Sequence, residues 1–396
     1  MPIMNKALQG KLTILMPTYG RSVFVDKILG YYSSQKLSHK IVLIDSSPKL
    51  KKEKIYESFN KYRNQLNVEF IDHVRENDLE NLALVRNEYW LKLINYIDKV
   101  ETPYVLCCGD DDFFTTKAID KILQVLDSDT SKEISCATGH CFDFWCSIND
   151  ADQIELGKNG FTRARSTMNF SNPIDRLIHK SYPNVVMGEC HSILRKEVLS
   201  KILFNMNESK LWEGDRMMIF AEQYWNIYAN TAGKCYVCDE LYWIKPRIRK
   251  SLPTSKEKDK DVYNCYLYSH IGQEGYIKKY KETLDLYIKQ AKEFGLSSEH
   301  AQYTYETWFM GIYEMRLTRT RKLLLKEFPP EVENIEVEQY GIKESAKYLM
   351  DSIINRVTRI LGKKEELSEP PKRINLESPL CPYRKELKDI FSIIEN

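Results

Sequence analysis

Over its first 114 residues the chain switches repeatedly between two hydrophobic periods. Leu12–Pro17, Lys40–Asp45 and Asn67–Ile71 are short, largely apolar runs, and Pro103 opens a fourth that continues through Tyr104–Cys108. Between them, Val23–Ser34, Tyr56–Gln65 and Leu79–Val100 carry helical periodicity. Apolar strands separated by helices specify a parallel sheet. Each parallel connection has to cross over, and the crossover helices then hide both faces. In such sheets ligands gather beyond the carboxyl ends of the strands, beside the point where strand order reverses. Three polar clusters fall at such ends: Pro17–Arg21, Asp45 and Asp110–Asp112.

The third cluster is the most unusual. An apolar run ends in Gly109-Asp110-Asp111-Asp112, followed at once by Phe113-Phe114. Three adjacent carboxylates repel one another, and desolvating them costs several kcal/mol each unless a cation or hydrogen bonds compensate. A divalent cation is the simplest compensation, because Mg²⁺ and Mn²⁺ prefer carboxylate oxygens and complete their shells with water or substrate phosphate. The competing reading is a solvated acidic turn in which Asp112 caps a helix beginning near Thr116. The company of two other ligand-facing strand ends favours the cation.

The chain has 396 residues, enough for one large domain and a smaller addition. Its 58 basic and 56 acidic residues nearly cancel, so no global field favours nucleic acid. A hydrophobic content of 43% and a mean hydropathy of -0.47 suit a soluble protein. Neither a signal peptide nor an apolar run of transmembrane length is evident, so the cytoplasm is the expected location. Peripheral contact at the inner face of the membrane is a second expectation, through the basic segment from Asn355 to Lys364. The plainer reading of that segment is a solvated helix face. Of the ten cysteines, Cys107, Cys108, Cys136 and Cys190 lie in or beside apolar segments and read as core. Cys235 and Cys238 have the spacing of half a zinc site, with Cys141 and Cys146 as the other half. However, residues three apart on a strand face opposite sides.

Ile134–Phe144 and Lys234–Ile244 read as further strands. Beyond Ser251 the pattern becomes helical, at Val262–Phe294, Glu299–Phe328 and Ile342–Leu361. A charged linker spans residues 362–372, and a last helix covers Arg384–Ile394. The expected domains are therefore 1–251, with a donor half of about 1–130 and an acceptor half of about 131–251, and a helical region 252–396. The tail either shapes an acceptor site or makes a homodimer. Its Tyr303–Phe309 stretch has the spacing of a buried helix face.

Pro17-Thr18-Tyr19-Gly20-Arg21, Leu43-Ile44-Asp45-Ser46-Ser47 and Gly109-Asp110-Asp111-Asp112-Phe113 together resemble the inverting family-two glycosyltransferases, over roughly the first 250 residues. The resemblance implies an α/β fold of the GT-A type, a nucleotide-binding sandwich with a mostly parallel central sheet, here followed by an α-helical extension. It further implies a nucleotide-diphosphate sugar as donor, Mn²⁺ or Mg²⁺ as cofactor, and a hydroxyl of a glycan, lipid-linked or protein acceptor, as in surface polysaccharide synthesis.

The implied roles are specific. Asp110 and Asp112 are the metal-motif acids, with Asp111 and Asp112 as an alternative register. Pro17, Thr18, Tyr19 and Arg21 form the nucleotide-proximal loop, and Asp45 accepts a hydrogen bond from base or ribose. Arg86, with Asn87, matches an Arg-Asn pair on the helix before the metal strand. Leu211–Arg216 resembles the acceptor-side motif, with Asp215 the better match for the base and Glu213 second. The alternative for Asp215 is a helix cap.

The family's mobile closing segment falls at Tyr242–Ser251. It lacks the metal-binding His found in many members, but Arg247 and Arg249 suit diphosphate. Two further departures are Gly20, where Asn is frequent, and Ser46, where a second acid is common. His140, His179 and His191 read as acceptor-site or structural residues. A sugar nucleotidyltransferase would need a Gly-rich signature after the first strand, which is missing. A binding protein without catalysis is the remaining alternative.

Overall fold

The computed structural model describes residues 8–74, 82–149, 153–163, 167, 169–180, 189–211, 218–249, 276–308, 373–375 and 383–395. The expected alternation is present at the start: β1 (Leu12–Thr18), α1 (Ser22–Ser34), β2 (Lys40–Asp45), α2 (Lys49–Tyr62), β3 (Val68–Asp72), α3 (Leu82–Ile97) and β4 (Tyr104–Cys107). Helix α2 starts seven residues before the periodicity suggested, directly after Pro48, whose ring fixes a backbone angle suited to a helix entry. The chain continues through β5 (Phe113–Phe114), α4 (Thr116–Ser128), β6 (Ile134–Ile148), β7 (Ile154–Arg163), α5 (Pro173–Lys180), β8 (Ile193–Arg195), α6 (Lys196–Glu208), α7 (Met218–Ala232) and β9 (Lys234–Arg249). It is completed by α8 (Tyr276–Ala291), β10 (Arg373–Asn375) and α9 (Arg384–Glu395).

All these strands join one sheet, with β10-β7-β6-β8-β4-β1-β2-β3 along its main path. β1 pairs in parallel with both β2 and β4, so strand order reverses between them. The fold is therefore α/β with a parallel core, extended by the antiparallel strands β8, β7 and β10. Alternation along β1 divides the interior. Leu12, Ile14 and Met16 face a core shared with α1, α4 and α9, and Leu15 faces another shared with α3, α6 and α7.

Two tertiary relations go beyond the sequence pattern. β9 continues to Arg249, in parallel register with β6 through the Ser147–Arg249 pair. Pro246 is accommodated because β5 covers only Trp243 and Ile244, leaving Pro246 without a ladder partner on that edge. The end of the chain returns to the first core. There α9 buries Leu387, Ile390 and Ile394, and Phe391 meets Phe144 edge-on at 5.1 Å. By contrast, α8 and residues 298–308 pack on α5 and α7, with Tyr305 and Trp308 buried as their spacing indicates. Residues 262–275, 309–361 and the linker 362–372 lie outside the described residues. No helix among the described residues is long and apolar enough to cross a membrane.

Candidate active site

The acid triplet is a short turn held between two buried anchors. Val105 to Cys108 precede it and Phe113-Phe114 follow it, all fully buried. Phe114 meets Tyr242 edge-on and stacks parallel to Trp243, and the Thr115 amide donates to the Tyr242 carbonyl at 2.9 Å. The triplet is therefore fixed in position by its flanks. Helix α4 begins only after β5 and is capped at Thr115, so Asp112 does not cap it.

The three acids have different surroundings. Asp110 accepts the Tyr19 amide at 3.0 Å and Arg21 Nη1 at 3.1 Å, which ties the triplet to the loop after β1. Asp111 meets the same guanidinium nitrogen at 2.5 Å. Asp112 is 1% exposed; its Oδ1 has no hydrogen-bond partner, and its Oδ2 lies 3.7 Å from His191 Nδ1. Burial drives the Asp110 carboxyl up to about 6 against the pull of Arg21. Burial, and then the Asp112 charge, likewise raise Asp111. One guanidinium thus contacts two of the three carboxylates and reaches Asp112 only through space.

Gly109 is required here. A Cβ at that position would lie 2.5 Å from Asp112 Oδ2, so any side chain would displace the carboxylate.

A second polar cluster lies at the adjoining strand ends. Asp45 accepts the Ser47 amide at 3.1 Å and the Ser47 hydroxyl through Oδ1, and the Gly20 amide donates to Ser47 Oγ at 2.8 Å. Asp45 Oδ2, Thr18 Oγ1 and Ser46 Oγ are buried without a hydrogen-bond partner. Buried polar atoms are nearly always paired, so such a concentration leaves hydrogen-bonding capacity for water or a ligand. Beneath the cluster, Lys92 of α3 is 2% exposed and donates to the Thr18 carbonyl at 2.7 Å. Its charge favours the ionised forms of Asp45 and Asp110.

The structure thus brings Pro17, Thr18, Tyr19, Arg21, Asp45, Asp110, Asp111 and Asp112 together at the carboxyl ends of adjoining strands. Lys92 and Lys245 join them unannounced, together with His191, expected as an acceptor-site or structural residue. Lys245 Nζ lies 4.8 Å from the centre of the Trp243 ring, and its charge acts on Asp111. The closing segment is a strand as far as Arg249. Arg247 Nη2 donates to the buried Asp143 at 3.3 Å, so this guanidinium is engaged within the sheet. Trp212, Glu213, Asp215 and Arg216 lie outside the described residues, as do the side chains of Arg86, His179 and Arg249. His140 sits apart, paired with Asp239.

The residues present suit a divalent cation. Asp112 offers a buried oxygen without a partner, and Gly109 keeps room beside it. Among the described residues no group of three or more His, Cys, Asp or Glu side chains converges on a metal position. An ion here would accordingly be held by one or two carboxylates together with the oxygens of its substrate.

No protein-family model matches the chain, and no curated protein matches it. Among solved structures, it is similar to residues 1–349 of S. aureus TarS at 13% identity, over 88% of this chain and 80% of that one, with a TM-score of 0.43. The same TarS portion in complex with UDP-GlcNAc matches at 13% identity, over 79% and 92%, with a TM-score of 0.37. The mannosyltransferase PcManGT of Pyrobaculum calidifontis, in complex with GDP-Man and Mn²⁺, matches at 11% identity, over 90% and 88%, with a TM-score of 0.36. At such distances the functional reading rests on the residues of this chain alone.

Proposed function

We propose that this protein is a metal-dependent glycosyltransferase that moves a sugar from a nucleotide-diphosphate donor to an acceptor hydroxyl with inversion. One observation carries the reading. Four buried side-chain oxygens without partners, Thr18 Oγ1, Asp45 Oδ2, Ser46 Oγ and Asp112 Oδ1, stand at the carboxyl ends of β1, β2 and β4, where strand order reverses. A nucleoside with a charged diphosphate meets both demands of that site, hydrogen bonds at one end and cation-bridged anions at the other.

In this reading Asp45, Thr18 and Ser46 hold the base and ribose, and Tyr19 borders them. Arg21 orients Asp110 and Asp111. Asp112 is the direct ligand of Mn²⁺ or Mg²⁺, with Asp110 kept in place by the Tyr19 amide. The ion, when bound, supplies the Lewis acid that neutralises the departing diphosphate. Lys245 adds positive charge at Asp111, and Arg249, also on β9, contributes to holding the diphosphate, whereas Arg247 is held by Asp143. Asp215 takes the proton from the acceptor hydroxyl, with Glu213 as second candidate. Arg86 contributes to the donor side. The acceptor is a glycan, a lipid-linked glycan or a protein side chain, and peripheral membrane contact and dimerisation belong to the helical region.

Donor hydrolysis and transfer with added Mn²⁺ test the assignment. Wild-type protein should release nucleoside diphosphate, and Asp112→Asn and Asp215→Asn should each lower turnover by at least a hundredfold. Unchanged turnover in both variants would refute it.

A further inference from the structure

We propose that His191 provides a nitrogen ligand to the same cation that Asp112 holds, an inference that rests on the transferase reading above. The first observation is a distance. His191 Nδ1 and Asp112 Oδ2 are 3.7 Å apart, beyond a hydrogen bond, yet within the ~4.2 Å that two ligands at about 2.1 Å from one ion can span.

The second observation is that the ring is fixed in place. It packs on Trp243 with centroids 4.3 Å apart and planes inclined by 34°, and the Tyr242 hydroxyl donates to the His191 carbonyl at 2.8 Å. Both contacts come from β9, the strand that also pairs with Phe113-Phe114 behind the triplet. The imidazole and the carboxylate are therefore positioned by one rigid unit. Thirdly, Asp112 Oδ1 is buried without a partner, so the pair leaves acceptor capacity for an ion. The imidazole side chain is 19% exposed, with Nδ1 itself buried beside Asp112.

An imidazole ligand changes which metal the site prefers. Carboxylates alone suit Mg²⁺ and Mn²⁺ comparably, whereas imidazole shifts preference towards transition ions. His191 also supplies, from the turn before β8, a ligand that the Tyr242–Ser251 segment does not contain. It lies far from the triplet in sequence and reaches it because β8 pairs antiparallel with β4.

The test is pulsed electron paramagnetic resonance of Mn²⁺ bound to full-length protein with UDP, and separately with GDP, using wild type, His191→Gln and Asp112→Asn. Circular dichroism and thermal melting establish that each variant folds. Wild type should show modulation from a directly bound ¹⁴N nucleus, replaced by the ¹⁵N pattern when the protein is labelled with ¹⁵N-histidine. His191→Gln should lose that signal and bind Mn²⁺ at least about tenfold more weakly, with a smaller change for Mg²⁺. If Asp112→Asn loses the ion while wild type shows no nitrogen coupling and His191→Gln binds Mn²⁺ normally, the His191 assignment is overturned and the transferase reading stands. If wild type binds no Mn²⁺ with either nucleotide, the transferase reading itself fails.

Discussion

The two ends of β4 carry the same chemistry in opposite states. At the amino end, Arg195 donates to the carbonyls of Ile134, Leu126 and Asp129 and to Asp129 Oδ2. Asp129 in turn accepts the Ile134 and Glu133 amides and the Ser131 hydroxyl. These hydrogen bonds outweigh desolvation and hold the Asp129 carboxyl below its usual range. At the carboxyl end, one Arg21 nitrogen is shared between Asp110 and Asp111, and Asp112 keeps an oxygen without a partner. There burial wins, and Asp110 and Asp111 are raised. A saturated cluster stabilises the fold, and a deficient one is completed by a ligand. The carboxyl end also gathers three acids against one and holds them with a more exposed arginine, so charge and hydrogen-bond saturation differ together.

The largest effect should come from breaking the saturated end. Arg195→Met leaves Asp129 buried without its cation, and denaturant unfolding should show a loss of about 3–5 kcal/mol. Nucleotide affinity of the folded fraction should not change. At the deficient end, Lys92→Met removes the donor to the Thr18 carbonyl and a charge that favours ionised Asp45. Calorimetry should show nucleotide binding weakened by about 1.5–3 kcal/mol, partly restored in Lys92→Arg.

Gly109→Ala pushes the Asp112 carboxylate aside. Mn²⁺ affinity should fall on the order of tenfold with little change in stability.

The smallest effect concerns pH. Burial raises the Asp45 carboxyl, so its contribution to stability is present below the ordinary aspartate range and is lost as pH rises through the raised value. Asp45→Asn should therefore match wild type in thermal stability near pH 3 and exceed it near pH 8, in ligand-free protein. The reverse pH trend would contradict the burial argument.

The site was legible where local sequence decides geometry. Apolar strands followed by Pro17–Arg21, Asp45 and the triplet give both the parallel core and its ligand-facing ends. What escaped depends on pairing between distant segments. Lys92 shares a helical stripe with Tyr89 and Tyr96, so a lysine on an apolar face was the available signal, and only packing shows that it lies under β1. His191 is recruited by the β8–β4 pairing, which no local pattern announces. Arg247 looked like a loop cation because β9 was expected to stop at Ile244. The length of β6 and the buried Asp143 draw it into the sheet instead. The return of α9 to the first core was hidden because its helical period says nothing about which surface it covers.

The most direct measurement is the thermal midpoint of wild type and Asp112→Asn with UDP or GDP, each with and without Mn²⁺. Ligands that bind the folded state raise the midpoint by mass action. One nucleotide should stabilise wild type strongly with Mn²⁺ and weakly without it, and Asp112→Asn should lose the metal-dependent part while melting no lower than wild type when ligand-free. No stabilisation by either nucleotide, or an equal shift in Asp112→Asn with Mn²⁺ present, would contradict a metal–diphosphate centre at the end of β4.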